Sequence, residues 1–391
     1  MKRIEGGICA VGGVRAAGAK RGKYGVALIA ASGTAAGVFT KNRIRAAPLD
    51  VTAKNLAVSE GRLEGVIANS GCANAYTGTT GIEDARWMAG LLADHLGVGA
   101  EEIGVASTGV IGRHLDRDVI AGLFDEAKGR LRSDPEASAE AARAIMTTDT
   151  RVKEIAVEHR GFRVAGITKG AGMIEPNMAT MLAFLYTDAR ISPEALRETL
   201  LAAADESFNM LIVDGDTSTN DLVLVTATGK VEADIDDFRE ALNYVCVELA
   251  KMMAKDGEGA TKLVEMEVTG ARNREDARLA AKTVMRSSLV KTAIFGCDPN
   301  WGRIVAAAGR SGAELDPEKI TLSISAAGRD EEVFLVRDGK IVDGILATAE
   351  EAMRAQELLI TLDLGLGDGR ARAFGCDLSY DYVKINADYT T

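Results

Sequence analysis

Histidine, the commonest general base of enzymes, is nearly missing: the chain has three in 391 residues. His95 falls on the apolar stripe of an expected helix and reads as a core residue. His114 follows Arg113 in a polar loop, and His159 sits at an expected hairpin turn. No serine stands in a G-x-S-x-G elbow, which excludes a Ser-His-Asp hydrolase of that kind. The five cysteines (Cys9, Cys72, Cys246, Cys297 and Cys376) are scattered and odd in number, with no C-x-x-C pair. They offer neither a disulfide framework nor a zinc site and suit a reducing compartment. Base is outnumbered by acid, 46 Lys and Arg against 57 Asp and Glu, and the net charge of −11 argues against a nucleic-acid surface. No apolar run reaches the roughly eighteen residues of a membrane span. Ile4–Ala10 is too short and glycine-broken for the core of a signal peptide. Gly22-Lys23 lacks the leading glycine and the following Ser/Thr of a phosphate loop, and Gly365-Leu-Gly367 lacks the third glycine of a dinucleotide fingerprint. A cytoplasmic globular protein with no metal and no bound cofactor is expected.

What the chain does have is glycine, 42 residues against six prolines and without a period, which points to tight turns and close backbone approaches rather than disorder. Its length allows a large core and two or three domains. Short strands are expected at Gly25–Ala31, Ala36–Thr40 and Gly65–Ala68, followed by a small-residue loop, Asn69-Ser-Gly-Cys-Ala-Asn74. A helix over Asp84–His95 carries Trp87, Leu91, Leu92 and His95 on one stripe and stops at Gly97. Ile103–Ala106 reads as a buried strand entering the turn Ser107-Thr108-Gly109. An alanine-rich helix over Pro135–Met146 stops at Thr147-Thr148-Asp149-Thr150, and a hairpin of Glu154–Val157 with Arg163–Ile167 delivers the chain to Lys169. Ser192-Pro193 caps a helix bearing Leu196, Leu200 and Ala203, and Leu222–Thr226 is strand. A longer helix carries Phe238, Leu242, Val245, Cys246, Leu249, Met252 and Met253 and ends at Asp256-Gly257. Asn273 caps another that runs through Val284, and Ile320–Ser325, Val333–Val336 and Leu358–Leu362 read as strands. This mixture places the fold in the α/β or α+β class with layered sheets.

Two places carry chemistry. The stretch from Lys169 to Phe184 contains Pro176-Asn177, a turn signal, then Ala179-Thr180. Scission before Thr180 would leave a hydroxyl and a free α-amine on one residue, nucleophile and base together. The bland reading is a buried apolar strand, Met178–Leu185, with Thr180 as one β-branched member. Thr108-Gly109, directly after a strand, is either a plain turn or an oxyanion hole.

Several blocks in order then identify a family. They are Asn69–Asn74, Ser107-Thr-Gly-Val-Ile-Gly112, Met146–Thr150, Lys169–Leu182, Asp256-Gly-Glu-Gly-Ala-Thr-Lys262, Gly296-Cys-Asp-Pro-Asn-Trp-Gly302 and Tyr382–Thr391. Over nearly its whole length the chain resembles the glutamate N-acetyltransferase, or ornithine acetyltransferase, family of cyclic arginine biosynthesis. The resemblance implies self-cleavage between Ala179 and Thr180, giving an α fragment of 1–179 and a β fragment of 180–391 that stay in one folded body. It implies a layered α–β–β–α sandwich and an assembly of two copies of each fragment. Thr180 would be the nucleophile, Thr108 and Gly109 the oxyanion hole, and Thr147, Lys169, Thr180, Glu258, Asn386 and Thr391 the substrate contacts.

The expected reaction is ping-pong transfer of acetyl from N2-acetylornithine to glutamate through an acetyl-threonine ester. The threonine amine, with a reference pKa near 7.7–8.0, is the base. Acetyl-CoA stays open as a co-substrate of a bifunctional enzyme. Two other readings also stay open: a self-cleaving aminopeptidase or amidase that passes the acyl group to water, and an uncleaved amino-acid-binding or regulatory protein.

Overall fold

The computed structural model describes residues 1–175, 181–328 and 331–388. They divide into two compact units. The first contains residues 1–209 and 216–249, and the second residues 210–215 and 250–388. The chain passes from one to the other inside helix Ile235–Lys255.

The first unit is organised by one mixed sheet, nine-stranded among the described residues. Its order is Lys2–Ile4, Lys153–His159, Phe162–Lys169, Leu182–Arg190, Leu222–Glu232, Tyr24–Phe39, Arg62–Ser70 and Ile103–Ser107, with Arg15–Arg21 also paired to Tyr24–Phe39. Leu182–Arg190 runs parallel to Leu222–Glu232, and Arg62–Ser70 runs parallel to Ile103–Ser107. The other pairs are antiparallel.

Both faces of the sheet's centre are buried, so Tyr24–Phe39 is almost continuously apolar. Its alternation feeds two cores. Val26 and Leu28 pack with Met88, Leu92, Ile120 and Phe124, from helices Gly78–Leu96 and Arg117–Lys128. Ala27 and Ile29 pack with Ala141, Ala142 and Ile145 of helix Pro135–Ile145, and with Ile167, Leu182 and Leu222.

The Pro135–Ile145 helix sits so close that two strand positions admit no side chain. A Cβ at Gly18 would lie 2.1 Å from the Glu140 carbonyl oxygen, and one at Gly25 would lie 2.1 Å from that of Ala144. Its start is fixed by Asp134, whose carboxylate accepts the Ala137 N–H at 2.9 Å.

The second unit holds a sheet, seven-stranded among the described residues, in the order Lys340–Ile341, Val333–Arg337, Thr321–Ala326, Glu357–Asp363, Leu263–Ala271, Gly369–Cys376 and Leu211–Ile212. Helices Arg274–Arg286, Ser288–Phe295, Trp301–Gly309, Leu346–Met353 and Tyr380–Asp388 belong to it. The mixed α/β class is as expected. The caps at Ser192 and Asn273, the hairpin ending at His159 and the three later strands also stand within a residue or two of expectation.

Three expectations need correction. The two strands at Gly25–Ala31 and Ala36–Thr40 are one strand, Tyr24–Phe39, because the Ala31-Ser-Gly-Thr34 interval is absorbed by a register shift between Ala30 and Gly33. His95 is exposed rather than in the core; its ring only meets Phe124 edge-on. Helices Ala47–Val58 and Arg117–Lys128 stand where the sequence reading placed none.

Gly25→Ala is expected to lower unfolding stability by about 1–3 kcal/mol, since backbone rather than a flexible side chain must yield. A denaturant midpoint shifted at constant slope would register this; a wild-type midpoint would mean the helix can move off the strand.

Candidate active site

The end of strand Ile103–Ser107 lies beside the end of Arg62–Ser70, with Asn69 paired to Ser107. The two loops that follow are laced together. The Thr108 N–H donates to the Asn69 carbonyl and the Ala73 N–H to the Val110 carbonyl, each at 3.0 Å. The Ser107 hydroxyl lies 2.5 Å from Asn69 Oδ1, and Asn69 Nδ2 donates to the Cys72 carbonyl at 3.0 Å. Gly109 sits at φ +130°, and a Cβ there would come within 2.4 Å of the Gly71 carbonyl carbon. Only glycine serves at that point, for both reasons.

Lys169 closes strand Phe162–Lys169 and is buried. Its ammonium donates to Thr147 Oγ1 at 2.9 Å and to Thr108 Oγ1 at 3.3 Å. Three of the expected site residues therefore meet around one charge. An ammonium can only donate, so each hydroxyl oxygen accepts from it and keeps its own hydrogen for another partner. Thr108 is thereby set up as a donor.

The counter-charge is Asp149, a residue the sequence reading did not single out although it lies in the block Met146–Thr150. Its carboxylate lies 3.9 Å from Lys169 Nζ and 2.6 Å from Lys153 Nζ. It also accepts the Thr147 N–H at 3.0 Å and the Gly170 N–H at 2.6 Å. Burial alone would raise its pKa. The Lys169 and Lys153 ammoniums, with the Lys153 and Gly170 hydrogen bonds, outweigh that and hold it well below the usual carboxylate range. Lys20 brings another cation, bonded to the Met146 carbonyl at 2.6 Å. Burial lowers its pKa, Asp149 opposes that, and Lys169 adds to it.

The second unit pairs two further expected residues. Asn386, on helix Tyr380–Asp388, donates from Nδ2 to Glu258 Oε2 at 2.8 Å and to the Tyr382 carbonyl at 3.0 Å. Glu258 is buried and lies in the loop after helix Ile235–Lys255. That loop is pinned by Asp377, which accepts the Thr261 and Lys262 N–H groups at 2.8 and 3.0 Å. It is pinned again by Ser379, whose hydroxyl donates to the Gly259 carbonyl at 2.6 Å. Glu258 is thus a held carboxylate with acceptor capacity left for an ammonium.

Ala179, Thr180 and Thr391 lie outside the described residues. The histidines take no part in either cluster. His95 and His114 are exposed, and His159 Nε2 lies 3.5 Å from both Asp237 and Glu240 at the far end of the hairpin from Lys169. That trio is the one group among the described residues with the spacing to hold a metal ion. Arg160 shares Asp237 with it, at 3.8 Å.

Asp149→Asn is expected to cost about 3–5 kcal/mol at neutral pH, because two buried ammoniums lose their counter-charge. A carboxylate with a depressed folded pKa contributes stability above its unfolded value, near 3.9, and loses it as pH falls further. The deficit of the variant against wild type should therefore shrink below about pH 4. Parallel stability curves from denaturant titrations at several pH values would contradict this.

Residues 11–391 match the family model described as the ArgJ family. The chain is similar to the glutamate N-acetyltransferase of Methanosarcina mazei, at 56% identity with 100% of each chain covered. It is similar to the arginine biosynthesis bifunctional protein ArgJ of Archaeoglobus fulgidus at 52% identity, covering 97% of this chain and 99% of that one. A crystal structure of arginine biosynthesis bifunctional protein ArgJ from Bacillus halodurans superposes with a TM-score of 0.51 at 43% identity, covering 54% of this chain and 100% of that chain. A family match that takes in both the Lys169 cluster and the Glu258–Asn386 pair, with relatives alike along their whole length, is decisive: the chain belongs to the ArgJ family, and it is an enzyme, an acyltransferase.

Proposed function

We propose that this enzyme moves the acetyl group of N2-acetylornithine to glutamate, in cyclic arginine biosynthesis, through an acetyl ester on Thr180. The observation that carries the reading is the gathering of Thr108, Thr147 and Lys169 at one strand end, the strand whose register partner is the segment just after Thr180. The names of the full-length relatives support the same chemistry.

The precursor first cuts itself between Ala179 and Thr180. Thr180 Oγ attacks the Ala179 carbonyl, the peptide nitrogen leaves as an amine, and water releases the resulting ester. Strand Phe162–Lys169 then belongs to one fragment and Leu182–Arg190 to the other, yet they pair from Val164↔Thr187 to Lys169↔Leu182. The fragments thus remain in one sheet. Stacked α–β–β–α layers and two copies of each fragment complete the proposed assembly, in the cytoplasm. No helix among the described residues is long and apolar enough to cross a membrane.

In turnover, Thr180 Oγ attacks the acetyl carbonyl while its own amine takes the hydroxyl proton. The Thr108 hydroxyl and the Gly109 N–H hold the tetrahedral oxyanion. The amine returns the proton to the departing nitrogen of ornithine. Glutamate's amine then attacks the ester and leaves as N-acetylglutamate. Thr147, Lys169, Thr180, Glu258, Asn386 and Thr391 are the proposed substrate contacts; a cationic side chain suits an amino acid's α-carboxylate, and a carboxylate suits an ammonium such as ornithine's. Charging the same threonine from acetyl-CoA would make the enzyme bifunctional.

Mass spectrometry after brief exposure to N2-acetylornithine should find two fragments, with one acetyl group on the fragment that begins at Thr180. Added glutamate should discharge it as N-acetylglutamate; discharge to water alone would favour the aminopeptidase or amidase reading. Thr180→Ala should remain one chain without acetyl transfer, and Thr108→Val should lose about 10²–10³-fold in kcat. A competent single-chain enzyme would overturn the assignment.

A further inference from the structure

Asn220 was not marked by any sequence pattern, yet its side chain ties together the two loops that hold the oxyanion turn. It is buried and precedes strand Leu222–Glu232. Its Nδ2 donates to the Ala73 carbonyl at 2.6 Å and to the Ser107 carbonyl at 2.8 Å. Ala73 lies in the loop laced to the oxyanion turn, and Ser107 is the residue before Thr108. The side-chain oxygen accepts from the Thr219 hydroxyl at 2.5 Å. Both amide hydrogens are therefore used on the two strand ends that hold Thr108-Gly109. An aspartate there would set an acceptor against two acceptors.

The backbone on the other side of Asn220 is fixed just as closely. Ala46 donates to the Thr219 carbonyl at 2.9 Å, Thr40 to the Asp221 carbonyl at 3.0 Å, and Leu222 to the Met181 carbonyl at 2.9 Å. Met181 is covalently the residue after Thr180. Asp221, the next residue, is buried as well. Burial pushes its pKa well above the usual range, against the Met181 N–H, the Thr40 hydroxyl, Lys169 and the Ser218 hydroxyl.

We propose that Asn220 is a positioning residue for acyl transfer, setting the oxyanion turn Thr108-Gly109 at its working distance from Met181, which leads into strand Leu182–Arg190. It acts through Ser107 and Ala73 on one side and through the Leu222–Met181 bond on the other, and it touches no substrate. The inference rests on the acetyl-threonine reading. Donors displaced from a developing oxyanion lose most of their effect while leaving substrate affinity nearly intact.

The test compares wild type, Asn220→Ala, Asn220→Asp and Asn220→Ser in steady-state transfer from N2-acetylornithine to glutamate. Val225→Ala serves as a stability-matched control from the buried opposite face of the same strand. Asn220→Ala and Asn220→Asp should lose at least about 10²-fold in kcat, with KM changed less than threefold or so. Asn220→Ser, which keeps one donor, should recover part of the loss. If Asn220→Ala fails to fold, the serine variant carries the same kcat-against-KM comparison. Slower self-cleavage in the Asn220 variants, with normal cleavage in Val225→Ala, is also expected. Losses no greater than those of Val225→Ala, or confined to KM, would overturn the inference. A wild-type enzyme that never acetylates Thr180 would instead overturn the reading beneath it.

Discussion

A lysine ammonium buried at the end of a strand is the constraint around which the first unit's site is arranged. Lys169 has little water, and a lone buried cation would shed its proton or destabilise the fold. Asp149 prevents that. At an effective dielectric near 20, a counter-charge about 4 Å away is worth roughly 4 kcal/mol. Asp149 is in turn held by Lys153 and by the Thr147 and Gly170 N–H groups, so its position is fixed from both sides of Lys169 in the chain. The hydroxyls of Thr108 and Thr147 accept from the ammonium, and their own orientations are settled by doing so.

The sheet makes that convergence possible. Lys169, Leu182, Leu222 and Phe39 lie in one row across four strands, so the chain segments entering and leaving that row all surface together. Ser107 and Asn69 end the two strands at the other side of the sheet, and Asn220 bridges to them from the start of Leu222–Glu232. Side chains at the ends of a buried sheet can be charged or polar without entering the core. The apolar alternation of the interior fixes which way each of them points.

Elements with a local signature were legible from sequence. A serine or asparagine cap, a proline in the first turn and a 3.6-residue apolar stripe located helices Pro193–Glu206 and Arg274–Arg286. The alternation Leu263, Val264, Met266, Val268 against Glu265, Glu267 was there to be read, but strand Leu263–Ala271 was not separated from the loop before it. Helix Ala47–Val58 has a weak stripe and no side-chain cap, and it escaped notice. At the site, Thr108-Gly109 was legible as a turn after a strand, while Thr147, Lys169, Glu258 and Asn386 came from resemblance; the structure brings Thr108, Thr147 and Lys169 together and pairs Glu258 with Asn386. Asp149 and Asn220 were out of reach. Their importance lies in partners 21 and 147 residues away, which no spacing rule conveys.

The scarcity of histidine and the abundance of buried ammonium bear on one another. In the proposed reaction the base is an α-amine, and it must be unprotonated to work. A neighbouring ammonium disfavours a second positive charge and lowers the pKa of an amine. Lys20 already feels this: after burial and against the pull of Asp149, the field of Lys169 pushes its pKa down. An α-amine starts from a reference pKa of about 7.7–8.0, close to the neutrality at which a general base is most effective. In the proposed reaction the same field would act on the second substrate, since glutamate would attack the ester as a neutral amine while its carboxylates were drawn to the cation. One charge would then favour both the acceptor's neutral nucleophile and its anchoring.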